Sequence, residues 1–69
     1  MNETEDDIIK LLQKRGEMFT AEIAKGLNIS STTASKYLGI LEAKGKVEHY
    51  KKTPYIFWKV IYKGENDGT

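Results

Sequence analysis

Between Thr20 and Leu41 the chain reads TAEIAKGLNISSTTASKYLGIL, an apolar pattern that two short helices crossed over a tight turn bury on one side. Ile23, Ala24 and Leu27 share one face of a helix that Thr20 caps and that ends near Leu27 or Asn28. Asn28 tolerates the left-handed backbone of a sharp turn, and Ile29 plugs the corner. Ser30 or Ser31 caps the next helix, expected over about Ser31–Lys44, with Gly45 as its stop. Its stripe of Ala34, Tyr37, Leu38 and Leu41 follows i, i+3, i+4, i+7 spacing. With that stripe buried, the opposite face of the second helix turns to solvent.

The flanks supply the rest of a small core. Thr4 precedes an acidic first turn and an apolar set of Ile8, Leu11 and Leu12, followed by Lys14, Arg15 and Gly16. Acids at the start and bases at the end suit the helix dipole, so a first helix is expected over about 4–15. Glu17–Phe19 reads as an extended link or a stub of strand, with Met18 or Phe19 entering the core. After Gly45 the period changes, because 47–50 and 55–62 are rich in β-branched and aromatic residues. Between them KKTP holds the only proline and predicts the turn of a hairpin. In the second strand Ile56, Trp58, Val60 and Tyr62 alternate with Tyr55, Phe57, Lys59 and Ile61, which places apolar side chains on both faces. One face packs on the helices, and the other leaves Phe57 and Ile61 in need of a partner.

Size and charge bound what such a unit does. The 69 residues suffice for one domain, expected over 1–63, with GENDGT as a disordered polar tail over 64–69. At this length roughly 60% of the unfolded surface is buried, so the core is small. No cysteine is present, which removes disulfides, thiolate metal sites and thiol nucleophiles. The apolar runs fall far short of the roughly 20 residues a membrane span requires. The start MNETEDD is acidic where a signal peptide is basic, so a cytoplasmic, intracellular protein with no membrane partner is expected. A formal net charge of +1 conceals an asymmetry: residues 1–9 carry net −4, whereas 36–63 carry seven lysines against Glu42 and Glu48. A basic C-terminal half suits a polyanion.

Helix, helix, helix and hairpin in this order resemble the winged helix-turn-helix family over about residues 4–62. Within it, Ile23, Ala24, Leu27, Asn28 and Ile29 match the bulky, small and apolar positions around the turn, although asparagine stands where glycine is frequent. Ala34, Tyr37 and Leu38 match the second helix, and Leu38-x-x-Leu41-x-x-x-Gly45-x-Val47 resembles the passage from recognition helix to wing. The resemblance implies an α+β fold, a three-helix bundle followed by a β-hairpin wing, and the work of a small archaeal or bacterial-type transcription regulator.

The physics of duplex DNA selects the same residues. An α-helix fits the major groove, and a basic hairpin beside it reaches a flanking phosphate. Ser31, Thr32, Ser35, Lys36 and Gly39 form the outer face of the third helix. Their short side chains permit close approach, and Gly39 permits closer approach still. None offers the bidentate guanine contact of an arginine, so this helix discriminates sequence modestly. Lys51, Lys52 and Thr53 form the expected wing tip, where lysines act as point charges on phosphate. Ser30 and Thr33 are assigned to capping, Trp58 and Tyr37 to the core, and Tyr50 and Tyr55 to exposed sites beside the turn. His49, the only histidine, is expected on a strand surface.

Two other readings use the same fold. A protein-interaction module, or a homodimer, would use the strand face at Phe57 and Ile61. A narrower likeness links Leu38 to Lys46, Thr53-Pro54 and Trp58-Lys59 to the Z-DNA-binding winged helices. That subfamily uses an asparagine and a tyrosine one turn apart on the third helix, with wing prolines and a tryptophan. Those helix positions fall at Ser35 and Gly39, and Tyr55 stands at the second proline in a wing one residue longer. An enzyme is not expected: one histidine, no glycine-rich phosphate loop and no paired carboxylates assemble no catalytic set, and no cofactor is implied.

Overall fold

A computed structural model of the protein describes residues 2–62, so the expected tail over 64–69 lies outside the described residues. The chain forms α1 (Glu3–Arg15), β1 (Glu17–Phe19), α2 (Thr20–Leu27), α3 (Ser31–Ala43), β2 (Val47–Lys52) and β3 (Tyr55–Val60). The first helix starts before Thr4, because the Asn2 side chain accepts from the Glu5 amide at 2.9 Å. Thr20 is the first residue of α2 and not its cap. Phe19 occupies the cap position, and its amide donates to the Glu22 carboxylate at 3.1 Å. That frees the Thr20 hydroxyl to accept from the Trp58 indole.

The turn between α2 and α3 follows the expected chemistry. Asn28 is left-handed at φ 58° and ψ 45°, its amide donates to the Lys25 carbonyl, and the Ile29 amide donates to that of Ala24 at 2.9 Å. Ser30 caps α3 by accepting from the Thr33 amide at 3.0 Å. The last turn of α3 closes one residue earlier than expected, and Gly45 at φ 76° turns the chain into β2. At Gly26 a Cβ would stand 3.1 Å from Leu11 Cδ2, so glycine lets α2 lie close against α1.

The stub at Glu17–Phe19 is a true strand. It pairs antiparallel with β3, giving a three-stranded sheet of order β1-β3-β2 in which the wing hairpin is only two strands. β2 continues through Lys51 and Lys52, paired with Ile56 and Tyr55, which leaves Thr53-Pro54 as the two-residue tip. The four-residue turn expected at 51–54 is therefore shorter. β3 ends at Val60, before Ile61 and Tyr62.

One core joins all six elements. Ile8 and Leu12 of α1, Met18 of β1, Ile23 and Ala24 of α2, Ala34, Leu38 and Leu41 of α3, Val47 of β2 and Trp58 of β3 are buried together. Leu27, Ile29, Tyr37, Ile56 and Val60 pack around them half-buried. Met18, not Phe19, enters the core: Met18 lies beside Trp58 on the inner face, and Phe19 beside Phe57 on the outer.

Candidate nucleic-acid interface

The outward face of α3 and the wing form the candidate surface. Ser31, Thr32, Ser35, Lys36 and Gly39 are all exposed along one side of α3. The Ser30 and Thr33 hydroxyls bond to each other at 2.9 Å while Ser30 caps the helix, which leaves Ser31 and Thr32 as the hydroxyls open to a ligand in the first turn. Those two residues sit at the positive end of the helix dipole, where an anionic group is favoured. A Cβ at Gly39 would meet nothing within 4 Å, so the middle of the face is flat and unobstructed. The Lys36 ammonium lies 5.5 Å from the Tyr37 ring centroid, drawn along the helix surface.

Lys51, Lys52 and Thr53 are exposed at the far end of the hairpin. Because they are strand residues, the two lysines leave opposite faces of the wing, and Lys52 lies 5.6 Å from the Phe57 ring centroid. The wing thus presents positive charge on both sides of its tip. Lysine availability divides sharply elsewhere. Lys44 pairs with Glu5 at 3.1 Å and Lys59 with Glu48 at 3.7 Å. Among the described residues, Lys10, Lys14, Lys25, Lys36, Lys46, Lys51 and Lys52 have no carboxylate in ion-pair range, and of these Lys36, Lys51 and Lys52 lie on α3 and the wing.

Several side chains placed by sequence turn out to be structural. Trp58 is buried, and its indole Nε1 donates to the Thr20 hydroxyl at 2.9 Å, which ties the central strand to the start of α2. Tyr37 flanks the core half-buried, and Tyr55 is exposed beside the tip. The Tyr50 hydroxyl donates to the Glu17 carboxylate, a partner from β1 that no sequence spacing indicates. That acceptor holds the Tyr50 phenol above its ordinary value, with a smaller push from desolvation. His49 Nδ1 lies 2.6 Å from Glu42 and its ring 5.0 Å from that of Trp58, so it packs over the exit of α3. Phe57, expected to need an outside partner, rests against Phe19 and Tyr50, with ring centroids at 5.6 and 5.7 Å. Among the described residues, no group of three or more histidine, cysteine or acidic side chains is arranged to hold a metal, and no helix is long and apolar enough to cross a membrane.

Three helices with a basic hairpin beside the third are the architecture of a winged helix-turn-helix domain, and comparison with known proteins specifies the family. The family described as winged helix-turn-helix DNA-binding matches residues 1–48. The chain belongs to that family. A search among curated protein sequences returns no match.

Solved structures give the same fold. The homodimeric winged helix-turn-helix DNA-binding domain Mb0332 from Mycobacterium bovis, a possible ArsR-family transcriptional regulator, superposes with TM-score 0.80 at 29% identity, covering 86% of this chain and 54% of that one. YusO from Bacillus subtilis gives TM-score 0.87 at 18% identity, covering 94% of this chain and 48% of that one. The Zα domain of Carassius auratus PKZ, solved in complex with Z-DNA, gives TM-score 0.78 at 24% identity, covering 84% of this chain and 92% of that one. The chain thus spans about half of each bacterial chain solved, the Mb0332 one being a fragment of residues 1–100, and nearly all of the Zα domain.

Proposed function

We propose that the chain is a transcription regulator that binds right-handed duplex DNA, with α3 in the major groove and the wing tip on the phosphate backbone. The observation that carries this reading is the set of unpaired lysines beside a flat helix face: Lys36 on α3, Lys51 and Lys52 on the wing. Free ammonium groups release counterions from DNA when they meet phosphate, which drives sequence-independent affinity. Ser31, Thr32 and Ser35 add hydrogen bonds to phosphate or base edges, and Gly39 lets the helix axis approach the groove floor. With no arginine or amide side chain on this face, the helix fixes register more than sequence.

The likeness to the Zα domain leaves left-handed DNA as the competing ligand. Two features of this chain favour the right-handed form. Gly39 offers no ring at the position where the Z-DNA binders carry tyrosine, and Ser35 stands in place of their asparagine. An alternating CG duplex titrated with the protein therefore keeps its right-handed circular dichroism. Mapping amide shifts with a mixed-sequence duplex tests the interface itself: changes concentrate at 31–39 and 51–53, and changes confined to α1 would remove α3 from the groove.

A further inference from the structure

The sheet face that points away from the helices is built in three rows across the strands. Nearest the base, Glu17, Lys59 and Glu48 stand side by side on β1, β3 and β2. The middle row is Phe19, Phe57 and Tyr50, in aromatic contact. Nearest the tip come Tyr55 and Lys52, with the Tyr55 ring 4.4 Å from that of Phe19. Tyr55 is 47% exposed, the largest apolar exposure in the sheet. The face thus runs from net negative, through aromatic, to net positive.

That gradient matches itself when reversed. A two-fold axis lying across the strands, in the plane between two facing sheets, sets Glu48 of one copy against Lys52 of the other and aromatic row against aromatic row. We propose that this outer sheet face is a self-association surface whose occupant is a second copy of the chain, joined by the Phe19, Tyr50, Tyr55 and Phe57 rings and by Lys52 of each copy against Glu48 of the other. A single-stranded nucleic acid, which also favours stacked aromatics, fits less well because the two glutamates repel its phosphates. Two strands of six residues and one of three, about 4.8 Å apart, offer a footprint of roughly 250 Å² per copy, well below a stable interface. Self-association is therefore weak, seen at high protein concentration.

Charge exchange between variants tests the two-fold arrangement. Lys52→Glu sets acid against acid at both contacts, and Glu48→Lys sets base against base, so each variant alone associates about tenfold more weakly or less still. An equimolar mixture of the two restores attraction at both contacts and returns association to the parental strength. Sedimentation velocity over a concentration series reads all three, with circular dichroism to establish that each variant is folded. A parent that stays monomeric at millimolar concentration overturns the proposal. So does a mixture that fails to associate, or a single-stranded oligonucleotide that shifts the Phe57 and Tyr55 resonances of a monomeric parent. Because Lys52 also lies at the wing tip, the measurement is made without DNA, and its failure leaves the DNA reading intact.

Discussion

The indole Nε1 of Trp58 donates to the hydroxyl of Thr20 at 2.9 Å, across 38 residues of sequence. This bond connects the centre of the wing sheet to the first residue of α2, so the sheet and the helical pair that carries α3 are held in fixed relation. Thr20→Val keeps the shape and removes the acceptor, leaving a buried N–H without a partner. The variant loses about 1–3 kcal/mol of stability, read as a lower midpoint with an unchanged slope in urea unfolding. A loss below a few tenths of a kcal/mol would mean that the indole is satisfied by water.

Lys44 and Glu5 make the second long-range tie, from the exit of α3 to α1. The Glu5 side chain is 6% exposed and that of Lys44 44%, so the carboxylate is the vulnerable partner. Lys44→Ala strands a buried charge and costs about 1–3 kcal/mol, less than a wholly buried pair because water reaches the lysine side. Glu5→Gln combined with Lys44→Met removes both charges and costs less than Lys44→Ala. A double cycle in which the two costs simply add would show that the ions do not interact.

Tyr50 provides a prediction at alkaline pH. Its hydrogen bond to Glu17 favours the protonated phenol and raises its titration above the ordinary 10.0. The folded value exceeds the unfolded one, so this bond stabilises the fold below about pH 10 and its contribution is lost as pH rises through the folded value. Glu17→Gln lowers the Tyr50 titration, read as tyrosinate absorbance and assigned by difference from Tyr50→Phe. An unchanged titration in Glu17→Gln would rule out that hydrogen bond in solution.

Gly39 separates stability from binding on α3. Because its Cβ direction is open, Gly39→Ala stabilises the helix by about 0.5–1 kcal/mol, seen as a raised melting temperature. Gly39→Leu remains folded yet stands the helix away from the groove floor, and duplex affinity falls by about tenfold, equivalent to 1.4 kcal/mol. Full affinity in Gly39→Leu would place this side of α3 outside the contact.

Local chemistry made the helical part of this chain legible. The i, i+3, i+4 stripes, Asn28 at the left-handed turn and Gly45 after α3 each act over a few residues, so the sequence carries them directly. Thr20 misled for the same reason: a hydroxyl ahead of an apolar stripe resembles a cap, and only the fold brings Trp58 to it. β1 is three residues long, too short for a period, and exists because β3 pairs with it. The wing tip shortened because cross-strand pairing with Tyr55 and Ile56 extends β2 through both lysines. Exposure of Lys36 and Lys51 followed from periodicity, whereas the ion pairs that occupy Lys44 and Lys59 depend on residues from other elements.

The dependence of duplex affinity on salt tests the central claim most directly. Log affinity for a mixed-sequence duplex plotted against log salt concentration has a negative slope, to which each phosphate contact adds about 0.9. Lys51→Ala/Lys52→Ala should flatten that slope by about 1.8 and weaken binding alike on every sequence. An unchanged slope in that variant, or a parent that does not bind duplex at low salt, would contradict DNA contact through the wing.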